Sequence, residues 1–208
     1  MKKIIIVLTM FASVSIFGQS FEGEIIYTNS FKSKNPNMTN EQWTQMMGSK
    51  QEYFIKQGYY KSIVNGTISQ WQIYNNKENK VYTKMGNSEI AWWNDASINS
   101  DEIITSEIKT NALIILGYSC DELILTCKSG IQKYYFSSKL VVDIKQYENH
   151  KFGNWYDFLK NSKSLTLKTI IETPQFVMET IATEVKPMKL DDKFFNLPVN
   201  IKTSKSQY

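Results

Sequence analysis

The chain has 208 residues, with 24 basic side chains against 20 acidic ones, one histidine and two cysteines. Every basic residue is lysine, and the net charge is only +4. With no arginine there is no planar guanidinium fork of the kind that clamps phosphates and carboxylates, which argues against a nucleic-acid surface or a dedicated phosphate site.

In chain order, Lys2 and Lys3 precede an apolar run from Ile4 to Phe17, relieved only by Thr9, Ser13 and Ser15, and small or polar residues follow at Gly18-Gln19-Ser20. That is the layout of a secretory signal peptide, and the run is short of the roughly 20 residues of a membrane span. The expectation is cleavage near Gly18-Gln19 and a periplasmic or secreted product. No cysteine stands at the cleavage region to carry a lipid, and no later segment is long and apolar enough to be a membrane helix. The remaining length fits one β domain over 20–200 with a flexible tail over 201–208.

Beyond the leader the dominant signal is alternation of period two. Phe21, Gly23, Ile25, Tyr27 and Phe31 share one face of a first strand. Thr39 or Asn40 then caps a short helix over about 40–48, with Trp43, Met46 and Met47 at helical spacing. From Gln51 the chain reads as a meander of five short strands, QEYFIK, YYKSIV, TISQWQIY, KVYTKM and SEIAWW. They are separated by Gln57-Gly58, Asn65-Gly66, Asn75 to Asn79 and Gly86-Asn87, turn residues that tolerate positive φ. Further strands are expected at about 102–110, 118–127, 131–137, 164–172 and 175–186, with Lys128-Ser129-Gly130 turning one hairpin. A second short helix is expected over 152–161, and a helical turn near 190–198 stopped by Pro198.

Cys120 and Cys127 lie on one predicted strand. Seven extended residues separate their Cα atoms by roughly 23 Å and put the side chains on opposite faces, whereas a disulfide needs Cα atoms within about 7 Å. Two separate buried thiols are expected, a bridge requiring a bend between them.

Motifs for catalysis are missing: there is no G-x-S-x-G, H-E-x-x-H, C-x-x-C, P-loop or calcium-loop spacing. The lone His150 could serve as a base near neutral pH, but no nucleophile or metal ligand is placed beside it, so a loop or helix-entry histidine is the better reading. The acidic pairs Asp101-Glu102, Asp121-Glu122 and Asp191-Asp192 have adjacent members, not carboxylates converging from different segments; the first and last read as caps. Neither an enzyme nor a metal or other cofactor is expected.

Aromatic residues are the more informative material. In Ala91-Trp92-Trp93 two indoles point to opposite faces, and Trp71 shares a face with Ile73 while Tyr74 takes the other, so the sheet is apolar on both sides in places. One face can be core and the other a concave pocket lined by Trp71, Tyr74, Trp92 and Trp93; ordinary barrel packing with scattered surface tyrosines is the alternative.

Three blocks, FEGEIIYT (Phe21 to Thr28), ILGYSCDELIL (Ile115 to Leu125) followed by GIQKYYFS, and IATEVKPMKLDDKFFNLP (Ile181 to Pro198), frame most of the chain. Their order resembles the LolA/LolB-like periplasmic proteins, within a family of unknown function found in secreted proteins of Gram-negative bacteria. A related group carries a GLPGLI signature; here Trp155 is followed by SLTLKTII (Ser164 to Ile171), and that signature is absent in literal form. The resemblance implies a mainly β fold, a curved antiparallel sheet forming an incomplete barrel covered by two or three helical segments around an apolar cavity. Carriers of this kind use a cavity arginine, which this chain lacks, so what the resemblance implies narrows to an apolar ligand in general. The expectation is an exported binder or carrier of a lipid, acyl chain or other hydrophobic ligand. The alternative is an envelope structural or protein-interaction module with a filled core.

Overall fold

Twelve strands form one hydrogen-bonded sheet in the computed structural model, which describes residues 20–207. The expected signal peptide lies outside the described residues. The first half of the sheet is β1 (Gly23–Ser33), β2 (Lys50–Lys56), β3 (Tyr59–Val64), β4 (Ser69–Asn75), β5 (Lys80–Met85) and β6 (Ala91–Asp95). The second is β7 (Ile103–Ile115), β8 (Tyr118–Cys127), β9 (Gly130–Val141), β10 (Ser164–Glu172), β11 (Phe176–Pro187) and β12 (Thr203–Lys205). Their spatial order is β12-β6-β5-β4-β3-β2-β1-β11-β10-β9-β8-β7.

That order dictates the curvature. β6 and β7 follow one another in the chain yet stand near opposite ends of the sheet, joined only by residues 96–102. On a flat sheet about ten strand spacings would separate them by roughly 48 Å, while the linker reaches at most about 28 Å. The sheet must curl, and it does so into an incomplete barrel whose edges do not pair.

Two of the expected turns, Asn65-Gly66 and Gly86-Asn87, take no positive φ and sit in connections of more than two residues. Gln57 and Gly58 both have positive φ, as do Leu116 and Gly117, the signature of two-residue hairpins whose twist matches that of the flanking strands. α1 (Asn40–Met47) starts at a capping box in which Thr39 and Gln42 satisfy each other's backbone N–H. α2 (Trp155–Ser162) follows two 3-10 turns at Ile144–Tyr147 and Phe152–Asn154.

The sheet is mixed, where an antiparallel one was expected. β12 pairs parallel to β6, in a stretch expected to be a flexible tail. The cause is the route of the chain: residues 188–202 leave β11, and Phe194 and Phe195 pack on Phe54 and Tyr59 of the outer face. A crossover of this kind, not a hairpin, returns a chain in the parallel sense.

Both faces of the meander are thereby covered. On the inner face the main core runs from Ile25 and Tyr27 through Tyr53, Ile55, Tyr60 and Tyr74 to Leu123, Leu125, Tyr134 and Leu167, with Phe158 and Leu159 of α2 inserted. On the outer face Ile73, Tyr82 and Ala91 are buried. The segment before α2 plugs the gap between the sheet edges, since Lys151 and Phe152 both donate backbone N–H groups to Ala96 O.

Candidate functional site

The register of the meander builds the site. Cross-strand neighbours Ile55, Tyr60, Tyr74 and Val81 form one inner-face row. Ile25, Tyr53, Ser62, Gln72, Thr83 and Trp92 form the next. Over these rows the connection to α2 lays Tyr147, His150 and Trp155. The rings stack closely: Tyr74 to His150 at 4.2 Å, Tyr53 to Tyr60 at 5.4 Å, Tyr60 to His150 at 5.6 Å and Tyr53 to Trp155 at 6.4 Å between centroids.

His150 is an integral part of this stack. It is 1% exposed, its Nε2 lies 2.9 Å from Tyr60 Oη, and burial holds its pKa down at about 3. It is therefore a neutral ring at any ordinary pH. Among the described residues no three His, Cys, Asp or Glu side chains converge as a metal site.

Beside the stack a hollow of about 200 Å³ remains on the inner face, half-open to solvent. Its apolar lining comes from five strands and a helix: Tyr27, Tyr53, Tyr134, Leu165, Met178 and Trp155. The rest is polar but uncharged, namely Gln51, Thr166, Thr169 and Thr180. Tyr27 is fixed by donating its hydroxyl to Thr166 O at 2.7 Å, and Thr180 Oγ1 donates to Asn29 Oδ1 at 2.8 Å. Burial pushes the Tyr27 and Tyr53 hydroxyls well above their usual range, so both stay protonated.

Buried polar atoms normally have partners. Tyr53 Oη, Trp155 Nε1 and His150 Nδ1 find none among the described residues. All three belong to the same ring stack, and two of them to residues that line the hollow.

The four residues expected to line a pocket do not converge. Tyr74 is 1% exposed and lies beneath the stack. Trp92 faces inward at the far edge, where it lines a separate hollow of about 440 Å³ with Thr83, Met85 and Asn94. Trp93 points outward, with Lys80 Nζ 4.4 Å from its ring centre. Trp71, opposite Ile63 and Lys84, shares that outer face. The residues that do converge come from positions as far apart as 27 and 180. Their sequence signal was the inward alternation of Ile25-Tyr27 and Tyr134-Phe136, which identifies a face without telling which faces meet.

The remaining polar clusters have structural parts. Cys120 and Cys127 are free and buried on the single strand β8. Asn154 donates to Cys127 Sγ and to Gln132 Oε1. Burial and the nearby Asp101 carboxylate push the Cys127 thiol up to about 11, away from a reactive thiolate. Asp101 receives the Ser129 backbone N–H at 3.0 Å, and Asp191 caps its 3-10 turn through Lys193 N at 2.9 Å. Glu122 is buried and accepts from Tyr135 Oη at 2.6 Å. Among the described residues no helix is long and apolar enough to cross a membrane.

No family model matches the chain, and no curated protein matches it. Among solved structures it is similar to LprF from Mycobacterium bovis, at 9% sequence identity and a TM-score of 0.32, over 81% of this chain and 89% of that one.

Proposed function

We propose that this is a non-enzymatic binding protein of the space outside the cytoplasmic membrane, holding a small hydrophobic ligand in the inner-face hollow. The observation that supports this most is a single one. Beside the ring stack the inner face leaves an apolar, half-open space of about 200 Å³, flanked by α2. At about 30 Å³ per water-sized group, that is room for roughly seven such groups, below the 300–1,000 Å³ of a drug-sized site. One ring or a short chain is enclosed; a longer acyl chain protrudes. Burying about 200 Å² of apolar ligand surface contributes about 5 kcal/mol, equivalent to a dissociation constant of a few hundred micromolar at best.

The test uses protein recovered from the envelope or medium of its host, where N-terminal sequencing should read from near Gln19. N-phenyl-1-naphthylamine should brighten on binding and quench tryptophan emission, because Trp155 lines the hollow. Thr169→Phe, which fills the space, should abolish the signal with the melting temperature unchanged. Absence of a dye signal in the unmodified protein, or an undiminished one in the filled variant, would count against the reading.

A second reading, a protein-interaction module, draws support from β7. It is an edge strand whose Ile104, Ile108 and Ile114 are exposed, and such edges are templates for pairing with another chain.

A further inference from the structure

Trp92 stands apart from the rings of the inner core. It lies in the same inner-face row as Tyr53, four strands away through Ser62, Gln72 and Thr83, roughly 19 Å along the sheet. Its indole takes part in no ring stack, cation contact or hydrogen bond among the described residues, whereas Trp93 on the outer face has Lys80 and Lys205 over its ring. The half-open hollow of about 440 Å³ around Trp92 is shared with Thr83, Met85, Asn94 and Gln207, and every side chain in its lining is uncharged. The Asn94 and Gln207 amides have no side-chain partner among the described residues and are not sealed from water. Thr83 Oγ1 accepts from Gln72 Nε2 at 3.4 Å, which leaves its own proton to donate. We propose that this hollow is a second binding site, for a neutral sugar ring. A pyranose stacks its C–H face on the Trp92 indole, and its hydroxyls exchange hydrogen bonds with Asn94, Gln207 and Thr83.

The match joins two chemistries in one ligand. A pyranose has an apolar face of C–H groups and a rim of hydroxyls that both donate and accept. An indole is a large, flat ring with a negative face, so it receives the C–H face, while amides and hydroxyls offer donors and acceptors to the rim. A plain hydrocarbon would cover the indole but take the amides out of water without replacing their hydrogen bonds. A sugar acid gains nothing, since no lysine lines the hollow and burying an unpaired charge is costly. At about 30 Å³ per water-sized group the space holds roughly fifteen such groups, enough for one sugar ring with its substituents; a second ring would project through the opening. A ligand of that size binds with a dissociation constant on the order of a millimolar. The site shares no residue with the hollow beside Trp155, so it stands or falls independently of the ligand proposed above.

The test is titration of isotope-labelled protein with methyl β-D-glucopyranoside, methyl β-D-galactopyranoside and cyclohexanol, followed by NMR of the side-chain N–H groups. Trp92→Phe and Trp155→Phe identify the two indole resonances by the peak that each removes. At least one glycoside should move the Trp92 indole and Asn94 amide resonances saturably and leave the Trp155 indole in place. Cyclohexanol, with the same ring size and a single hydroxyl, should bind about tenfold more weakly. Trp92→Ala should weaken glycoside binding about tenfold and Asn94→Ala about fivefold. The Asn94→Ala melting temperature should be unchanged, because that amide bonds no protein side chain. If neither glycoside moves the Trp92 resonance at tens of millimolar, or if Asn94→Ala binds as well as the unmodified protein, the inference fails. Equal affinity for cyclohexanol overturns it in favour of a plain apolar hollow. Movement of the Trp155 indole instead would put the sugar in the other hollow and overturn the assignment. Movement of the Trp92 resonance on raising the protein concentration alone would mean that a second copy covers the hollow, which also overturns it.

Discussion

At the scale of single residues, His150 sets an acid limit on stability. Folded, its imidazole stays neutral down to about pH 3 because burial disfavours the charged form; unfolded, it takes up a proton below about 6.5. Between those values the unfolded chain binds more protons, so stability rises with pH and is lost as pH falls. The loss is about 1.4 kcal/mol per pH unit at most. Carboxylates held low by lysine partners, Glu172 by Lys34 and Asp192 by Lys56, titrate below the ordinary carboxylate range, and the histidine dominates from about 4.5 to 6.5. Urea midpoints should therefore fall by an amount equivalent to about 2 kcal/mol across that interval. His150→Gln, which stays neutral and can still bond Tyr60, should flatten the slope. A flat profile in the unmodified protein would show that His150 is not buried neutral.

Among the described residues, β7 is the longer of the two edge strands, the other being the three-residue β12. Placing a second copy antiparallel to it, on a two-fold axis through Ile108, sets Glu107 of each copy opposite Lys109 of the other. Two irregularities limit how far such a pairing extends: register shifts between Ile103 and Thr105 and between Lys109 and Leu113, the latter at Asn111 with its φ of 53°. Bulges of this kind twist an edge away from further pairing. The expected outcome is a weak dimer in sedimentation at high protein concentration. Lys109→Glu should weaken it about tenfold, because like charges then face each other across the strands. A strictly monomeric protein, or a dimer indifferent to that substitution, would remove the second reading.

The same strand shows why part of the fold was readable in the sequence and part was not. The meander alternates with one irregularity, between Ser69 and Trp71, so its strands were legible to within two residues except β6, which starts three residues later than expected. β7 was expected to stop near residue 110; Asn111 breaks the alternation by inserting extra residues opposite β8, and the strand resumes to Ile115. β12 has only Thr-Ser-Lys and a parallel partner reached by a crossover, so no local pattern announces it. The candidate site fared likewise. Trp92 and Trp93 were rightly assigned to opposite faces, but which ring meets which depends on the curl of the sheet. That curl is forced by a connection between distant edges, not by any local period.

For the molecule as a whole, the consequence of that curl is two cores on one sheet. The inner core is closed by residues 144–162, the outer one by the returning segment 188–202. The outer cover is narrow, and Phe195, 3% exposed, is its buried anchor: its ring lies 6.0 Å from that of Tyr59 and 5.5 Å from that of Phe194, which in turn sits 4.7 Å from Phe54 and under Lys61. Lys56 ties the same segment down by donating to Leu190 O and pairing with Asp192 at 2.8 Å. The ion pair is exposed on the Asp192 side and screened by solvent, whereas truncating a buried phenylalanine costs about 3 kcal/mol or more. Phe195→Ala should therefore lower stability far more than Asp192→Asn. If the inner hollow binds independently of the outer core, Phe195→Ala should leave dye affinity unchanged in the fraction that remains folded. Equal losses for the two substitutions would mean that the tether, not the ring, holds the returning segment. A matching loss of dye affinity would mean that the two faces of the sheet do not act separately.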